Sequence, residues 1–146
     1  VIQCMENTLS LPYYEITSGQ SGMMHAALAL YRKTGNECWK RLYVKGAECL
    51  MDNWKQDTDS GQWLWQSQVF GPKRHYYGAC HGVVGNANIL LQGADLLPDD
   101  HAELIIQRTV STLKLLSRPP VSTILRRQSA ISTVSPFMSF GPNCWL

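Results

Sequence analysis

The chain has no uninterrupted apolar run of about eighteen residues, so no transmembrane helix is expected. It has no Cys-x-x-Cys pair. Its five cysteines, Cys4, Cys38, Cys49, Cys80 and Cys144, are odd in number and irregularly spaced. That excludes the dense, regular framework of a disulfide scaffold and fits a reducing, cytoplasmic setting. The N-terminus lacks a basic stretch followed by an apolar one, so no signal peptide is read. It also lacks an initiator Met, as expected of a chain that starts inside a longer protein. There is no phosphate-binding loop, serine elbow or nucleic-acid motif. Acidic residues are missing after Glu103. Residues 1–103 hold eight Lys/Arg and eleven Asp/Glu, a net of −3, and residues 104–146 hold five Lys/Arg and no acid, a net of +5. Those five cations are scattered and have no interleaved aromatics, so they read as a solvated surface and not as a nucleic-acid or membrane patch.

What is present is an internal echo. Gly19-Gln20-Ser21-Gly22 opens a helix-like stretch, and sixty-three positions later Gly82-Val83-Val84-Gly85 opens another. A second helix follows each, with Leu42 mapping to Ile105 and Leu50 to Leu113 at the same step. Self-similarity at a fixed period marks a repeat architecture, here helical hairpins joined by a long connection. In the first unit the apolar residues Trp39, Leu42, Tyr43, Gly46, Cys49 and Leu50 recur at helical spacing, which predicts a helix over 37–53 after a tight turn at 33–36. In the second, Pro98-Asp99-Asp100 reads as a helix start, and Ile105, Ile106, Val110, Leu113 and Leu116 as its stripe. Ser117-Arg118-Pro119-Pro120 ends it. Trp63-Leu64-Trp65 reads either as a short extended segment or as an aromatic plug over a core, with the plug favoured. Residues 118–146 are Ser/Pro-rich without helical period, and poor order is expected there. The fold class is therefore all-α: a repeat domain over 1–117 and an irregular tail over 118–146.

The stretch from Arg74 to Asn86 carries the chemistry. His81 lies beside a Gly-x-x-Gly where a helix begins, with Gly82 allowing a sharp turn and Gly85 a close approach between helices. As a neutral imidazole at the mouth of a funnel it could exchange protons with a substrate near neutral pH. The alternative is a buried structural histidine with Cys80 as a small core residue. His25 reads as packed or surface, His75 as orienting the loop, and His101 as exposed in a first turn. Asp57 and Asp59 read as an exposed turn, and the tryptophans as core.

Gly78-Ala79-x-His81-Gly82-x-x-Gly85-Asn86, preceded by Arg74-His75-Tyr76 and followed by Leu90-Leu91-x-Gly93-Ala94-x-Leu96-Leu97, resembles the first His-Gly motif of the lanthionine synthetase C-like (LanC-like) family. Ser18-Gly19-x-x-Gly22 with Ala26-Ala27-Leu28-x-Leu30-Tyr31-x-x-Thr34-Gly35 is similar to the glycine-rich helix start of the preceding repeat. The resemblance covers about residues 13–117. It implies part of an α/α toroid, and a parent protein that adds a thiol to dehydroamino acids in a peptide or protein, as lanthionine-type or glutathione adducts. In the family's cyclases a zinc ion held by two cysteines and a histidine activates the thiol, and a separate histidine moves a proton at the enolate. His81 matches that separate histidine.

Cys80 departs from the pattern. It brings in a second alignment, with the family's Cys-His-Gly zinc motif. That motif should have a Trp-Cys-x-Gly one repeat earlier, yet the residues one repeat before Cys80 and His81 are Thr17 and Ser18. Cys144-Trp145 has the reversed order and no following glycine. Zinc is thus expected in the full-length parent and not on this chain, and the isolated chain is expected to be inactive. The other class left open is a non-catalytic helical-repeat module that binds peptides or proteins.

Overall fold

The structure, a computed structural model, describes residues 2–9, 11–68 and 71–117. The chain divides into two units, Val1–Leu115 and Leu116–Leu146. The expected irregular tail over 118–146 lies outside the described residues.

The described residues are mostly helical, with five α-helices among them: α1 (Ile2–Thr8), α2 (Gln20–Thr34), α3 (Glu37–Asn53), α4 (Val83–Gln92) and α5 (His101–Leu116). A short 3-10 helix, Ala94–Leu96, follows α4. Helix α3 has the bounds its apolar period predicts. Its start is fixed chemically: Gly35 closes α2 in the left-handed region (φ 66°), and the Asn36 side chain accepts from Cys38 N. Helix α5 begins at His101, three residues later than Pro98 suggested. The seven-residue α1 was not predicted.

Helices α2 and α3 form the first hairpin, and α4 packs on α2. Between α3 and α4 runs the long connection, and it is extended, not a simple plug. Strand β1 (Lys55–Gln56) pairs antiparallel with β2 (Trp63–Leu64), and β3 (Gln66–Ser67) pairs antiparallel with β4 (Arg74–His75). Trp65, between β2 and β3, is buried and stacks on Trp54 at 4.1 Å, and its indole N–H donates to Leu50 O at 2.8 Å. The segment is both ribbon and plug: Trp63 and Leu64 pair in the ribbon, and the consecutive Leu64 and Trp65 are buried in the core.

Met24, Tyr43, Leu50, Trp54, Ile89, Leu90 and Ile105 are fully buried. Each large apolar side chain contributes about 1.5–3 kcal/mol by leaving water. Two glycines make room for them. A Cβ on Gly46 would sit 2.6 Å from Met24 Cγ, and one on Gly93 would sit 2.4 Å from Tyr43 Cζ. Tyr43 reaches across to α4 and donates to the carbonyls of Ile89 and Leu90, at 3.0 and 3.1 Å. The mapped core pairs split. Leu42 and Ile105 are both buried, as the repeat step requires, whereas Leu50 is buried and Leu113 is exposed. Beside Leu50 the connection folds back on α3, where Trp65 donates to the Leu50 carbonyl.

Candidate functional site

The two Gly-x-x-Gly segments start their helices in the same way. Tyr13 O accepts from Gln20 N at 2.9 Å, and Tyr76 O accepts from Val83 N at 3.0 Å, one repeat step later. A Cβ on Gly22 would lie 1.9 Å from Ile16 O, and one on Gly85 1.9 Å from Ala79 O. The close approach at Gly85 is therefore made by its own loop, with Ile16 of the earlier loop also within 3.0 Å, and not by a neighbouring helix as expected. The N-cap of α4 is Gly82, without a side-chain cap bond. His81 precedes the cap and does not supply it.

The two loops lie against each other. Ile16 N donates to Cys80 O at 2.8 Å. Ser21 Oγ donates to Asn86 Oδ1 at 2.5 Å, and Asn86 Nδ2 donates to Tyr14 O at 3.0 Å. This joins the start of α2 to the start of α4 through buried polar groups, each satisfied as burial demands.

At the junction stands a residue that sequence reasoning missed. Glu15 is fully buried, and His81 Nδ1 lies 3.0 Å from its Oε2. The same carboxylate accepts from Thr17 N at 2.7 Å, from the Thr17 hydroxyl, from Ser18 N at 2.5 Å and from Ser18 Oγ at 2.9 Å. Burial pushes the Glu15 pKa up, but the hydrogen bonds from Thr17 and Ser18 outweigh it, and the carboxyl is held below its ordinary value. Glu15 is therefore ionised at neutral pH and can only accept. The proton on the shared hydrogen bond belongs to His81 Nδ1. In the neutral ring that assigns the lone pair to Nε2. The His81 side chain is 29% exposed, and the Tyr76 ring lies 6.0 Å away, tilted. The histidine sits on a buried carboxylate and open to one side, not in an apolar interior.

The other sequence candidates lie elsewhere. His75 is exposed on β4 and lines a cavity of about 290 Å³ beside the ribbons, with Asp57, Gln66 and Asn53 and without His81. Hydrogen bonds from Ser60 hold the Asp57 carboxyl below its ordinary range, within the turn the sequence suggested. His25 is half-buried on α2, and burial lowers its pKa. His101 is half-buried and lies 3.1 Å from Asp100. Trp54 and Trp65 are core, Trp63 and Trp39 are part-buried, and Trp145 lies outside the described residues.

Zinc does not fit the described residues. Among them no group of three or more His, Cys, Asp or Glu could hold a metal ion. Cys80 and His81 supply two donors, and Nδ1 of the second is engaged by Glu15. A protein zinc site needs at least three. Among the described residues, no helix is long and apolar enough to cross a membrane. No family model, curated protein or solved structure matches the chain.

Proposed function

We propose that His81, oriented by Glu15, is the proton-transfer residue of a cytoplasmic LanC-like protein that adds a thiol to dehydroamino acids in a peptide or protein. The observation that carries this reading is the 3.0 Å contact between His81 Nδ1 and a buried carboxylate. A carboxylate behind one imidazole nitrogen fixes the tautomer and the ring orientation, so that the other nitrogen serves as base or, once protonated, as acid. In the addition, sulfur bonds to the β-carbon of the dehydroamino acid and the π electrons move onto the adjacent carbonyl as an enolate. The proton that the thiol loses reaches His81 Nε2 through solvent, and the imidazolium then delivers it to the α-carbon and returns to the neutral ring. On this reading the thiol is activated outside the described residues. On the same reading the two hairpins belong to an α/α toroid of a larger protein, which would supply the zinc ligands, and the isolated chain does not turn over.

The test is glutathione addition to a dehydroalanine peptide by the natural polypeptide that carries these residues. His81→Gln should lower the rate by about 10²-fold or more, the scale of general acid–base assistance. Glu15→Gln should give a smaller loss. Equal turnover by wild type and His81→Gln would overturn the proposal.

A further inference from the structure

The cavity beside the ribbons gathers charged and polar side chains to one side of the extended connection. The strand register sets Lys55 opposite Leu64 and His75 opposite Gln66. Directly opposed antiparallel residues point to the same side. Leu64 and Gln66 stand two apart in one extended run and share that side too. Asp57 N donates to Gln62 O at 2.8 Å, which carries the β1–β2 ladder on by one residue, so Asp57 lies on the side of Lys55. All five residues line the cavity of about 290 Å³. Leu64 is buried and closes its floor, and Lys55, Gln66 and His75 are exposed.

The charges in this cavity do not neutralise one another. Lys55 and Asp57 have opposite signs and stand two residues apart, about 7 Å along an extended chain. They form no ion pair with each other or with any other described residue. Lys55 Nζ, the Gln66 amide group and the His75 ring make no hydrogen bond among the described residues. The Asp57 carboxylate is pinned instead. Ser60 N and Oγ donate to its Oδ2 at 2.8 and 2.5 Å. The result is a fixed anion and an unpaired cation on one wall, an imidazole and an amide on the other, and an apolar floor. Small-ligand sites combine an apolar surface with a few convergent polar groups in this way, and the volume stands close to their lower limit of about 300 Å³.

We infer that this cavity binds a small zwitterion of the α-amino-acid class, with its ammonium at Asp57, its carboxylate at Lys55 and His75, and its side chain against Leu64. A simple anion would face the fixed carboxylate of Asp57, and a simple cation would face Lys55. A ligand that carries both signs on one carbon lets each charge meet its opposite. The Gln66 amide both donates and accepts, so it can serve either end. His81 does not line the cavity, and the inference does not rest on thiol addition.

The test is a titration of glycine and of leucine into the nitrogen-15-labelled natural polypeptide that carries these residues, followed by amide shifts. Saturable shifts at Gln56, Thr58, Leu64 and Gln66 are expected, with the amides around His81 unmoved. N-acetyl-leucine, which lacks the ammonium, and leucinamide, which lacks the carboxylate, should each bind at least about tenfold more weakly than leucine, the scale of one lost charge contact. Lys55→Met and Asp57→Asn should each weaken leucine binding by a similar factor, with the rest of the spectrum unchanged. No saturable shift with either amino acid overturns the inference. Binding of N-acetyl-leucine as tight as that of leucine makes this an anion site and overturns it too, and leucinamide binding as tightly makes it a cation site with the same consequence.

Discussion

Gly19 and Gly82 make the same contact sixty-three positions apart: a Cβ on either would lie 2.1 Å from a tyrosine carbonyl, that of Tyr13 in one loop and of Tyr76 in the other. Both glycines have extended backbones, with φ of −110° and −143°. The requirement is therefore for space, not for a left-handed conformation.

Gly19→Ala and Gly82→Ala should each destabilise the protein by about 3 kcal/mol, since a carbonyl bonded to a helix start cannot move away cheaply. Gly78→Ala in the same loop, where nothing lies within 4 Å of the added carbon, should stay within about 0.5 kcal/mol. Urea denaturation of the three variants measures the difference. Equal midpoints for Gly78→Ala and Gly82→Ala would contradict the contact.

The ionised Glu15 dictates which ring nitrogen of His81 carries the proton. Long-range nitrogen–proton correlation spectra of the neutral ring should show the Nδ1–H tautomer as the dominant form. In Glu15→Gln the preference should weaken, because the amide can donate as well as accept. A dominant Nε2–H form in the wild type would rule out the orientation described.

Glu15 also sets an acid limit on stability. Its folded pKa lies below the ordinary value of 4.5, chiefly because the hydrogen bonds from Thr17 and Ser18 outweigh burial. As pH falls, the unfolded chain therefore takes up the proton first. The stabilisation is complete above the unfolded pKa and is lost as pH falls through the folded one. Between about pH 6 and pH 3, wild type should lose more stability than Glu15→Gln. Parallel pH profiles would show that the carboxylate carries none of it.

Thr112 is buried and ties α5 to β2. Its Oγ1 accepts from Trp63 N at 2.9 Å and donates to Trp63 O at 3.2 Å. Thr112→Val keeps the shape and strands both groups, at a cost of about 1–3 kcal/mol. Thr112→Ser should recover most of it. Thermal melts of the two variants check this; equal losses would place the effect in the methyl group instead.

Helix α3 was legible because its period, its turn and its cap are all local. The repeat step was legible for the same reason, since glycines that must meet a carbonyl cannot vary in spacing. Which side of α5 is covered was not legible. Leu113 has the spacing of a core residue yet is exposed, because which face of a helix meets other elements is set by long-range packing that no local pattern specifies. The strands at Trp63-Leu64 and Gln66-Ser67 are hidden in the sequence because their partners, Lys55-Gln56 and Arg74-His75, are polar and only two residues long. The carboxylate behind His81 was the largest omission. Glu15 stands sixty-six positions away, and its one local signal is the Thr17-Ser18 pair that follows it.

The stacked indoles of Trp54 and Trp65 have an optical consequence. Two chromophores 4.1 Å apart and 17° from parallel couple their excited states and give a paired band in the far-ultraviolet circular dichroism. One ring ends α3 and the other belongs to the connection, so the band reports their docking separately from helix content. During unfolding it would fade when the ribbon peels off the first hairpin, and a fade that runs ahead of helix loss would time that step without any label.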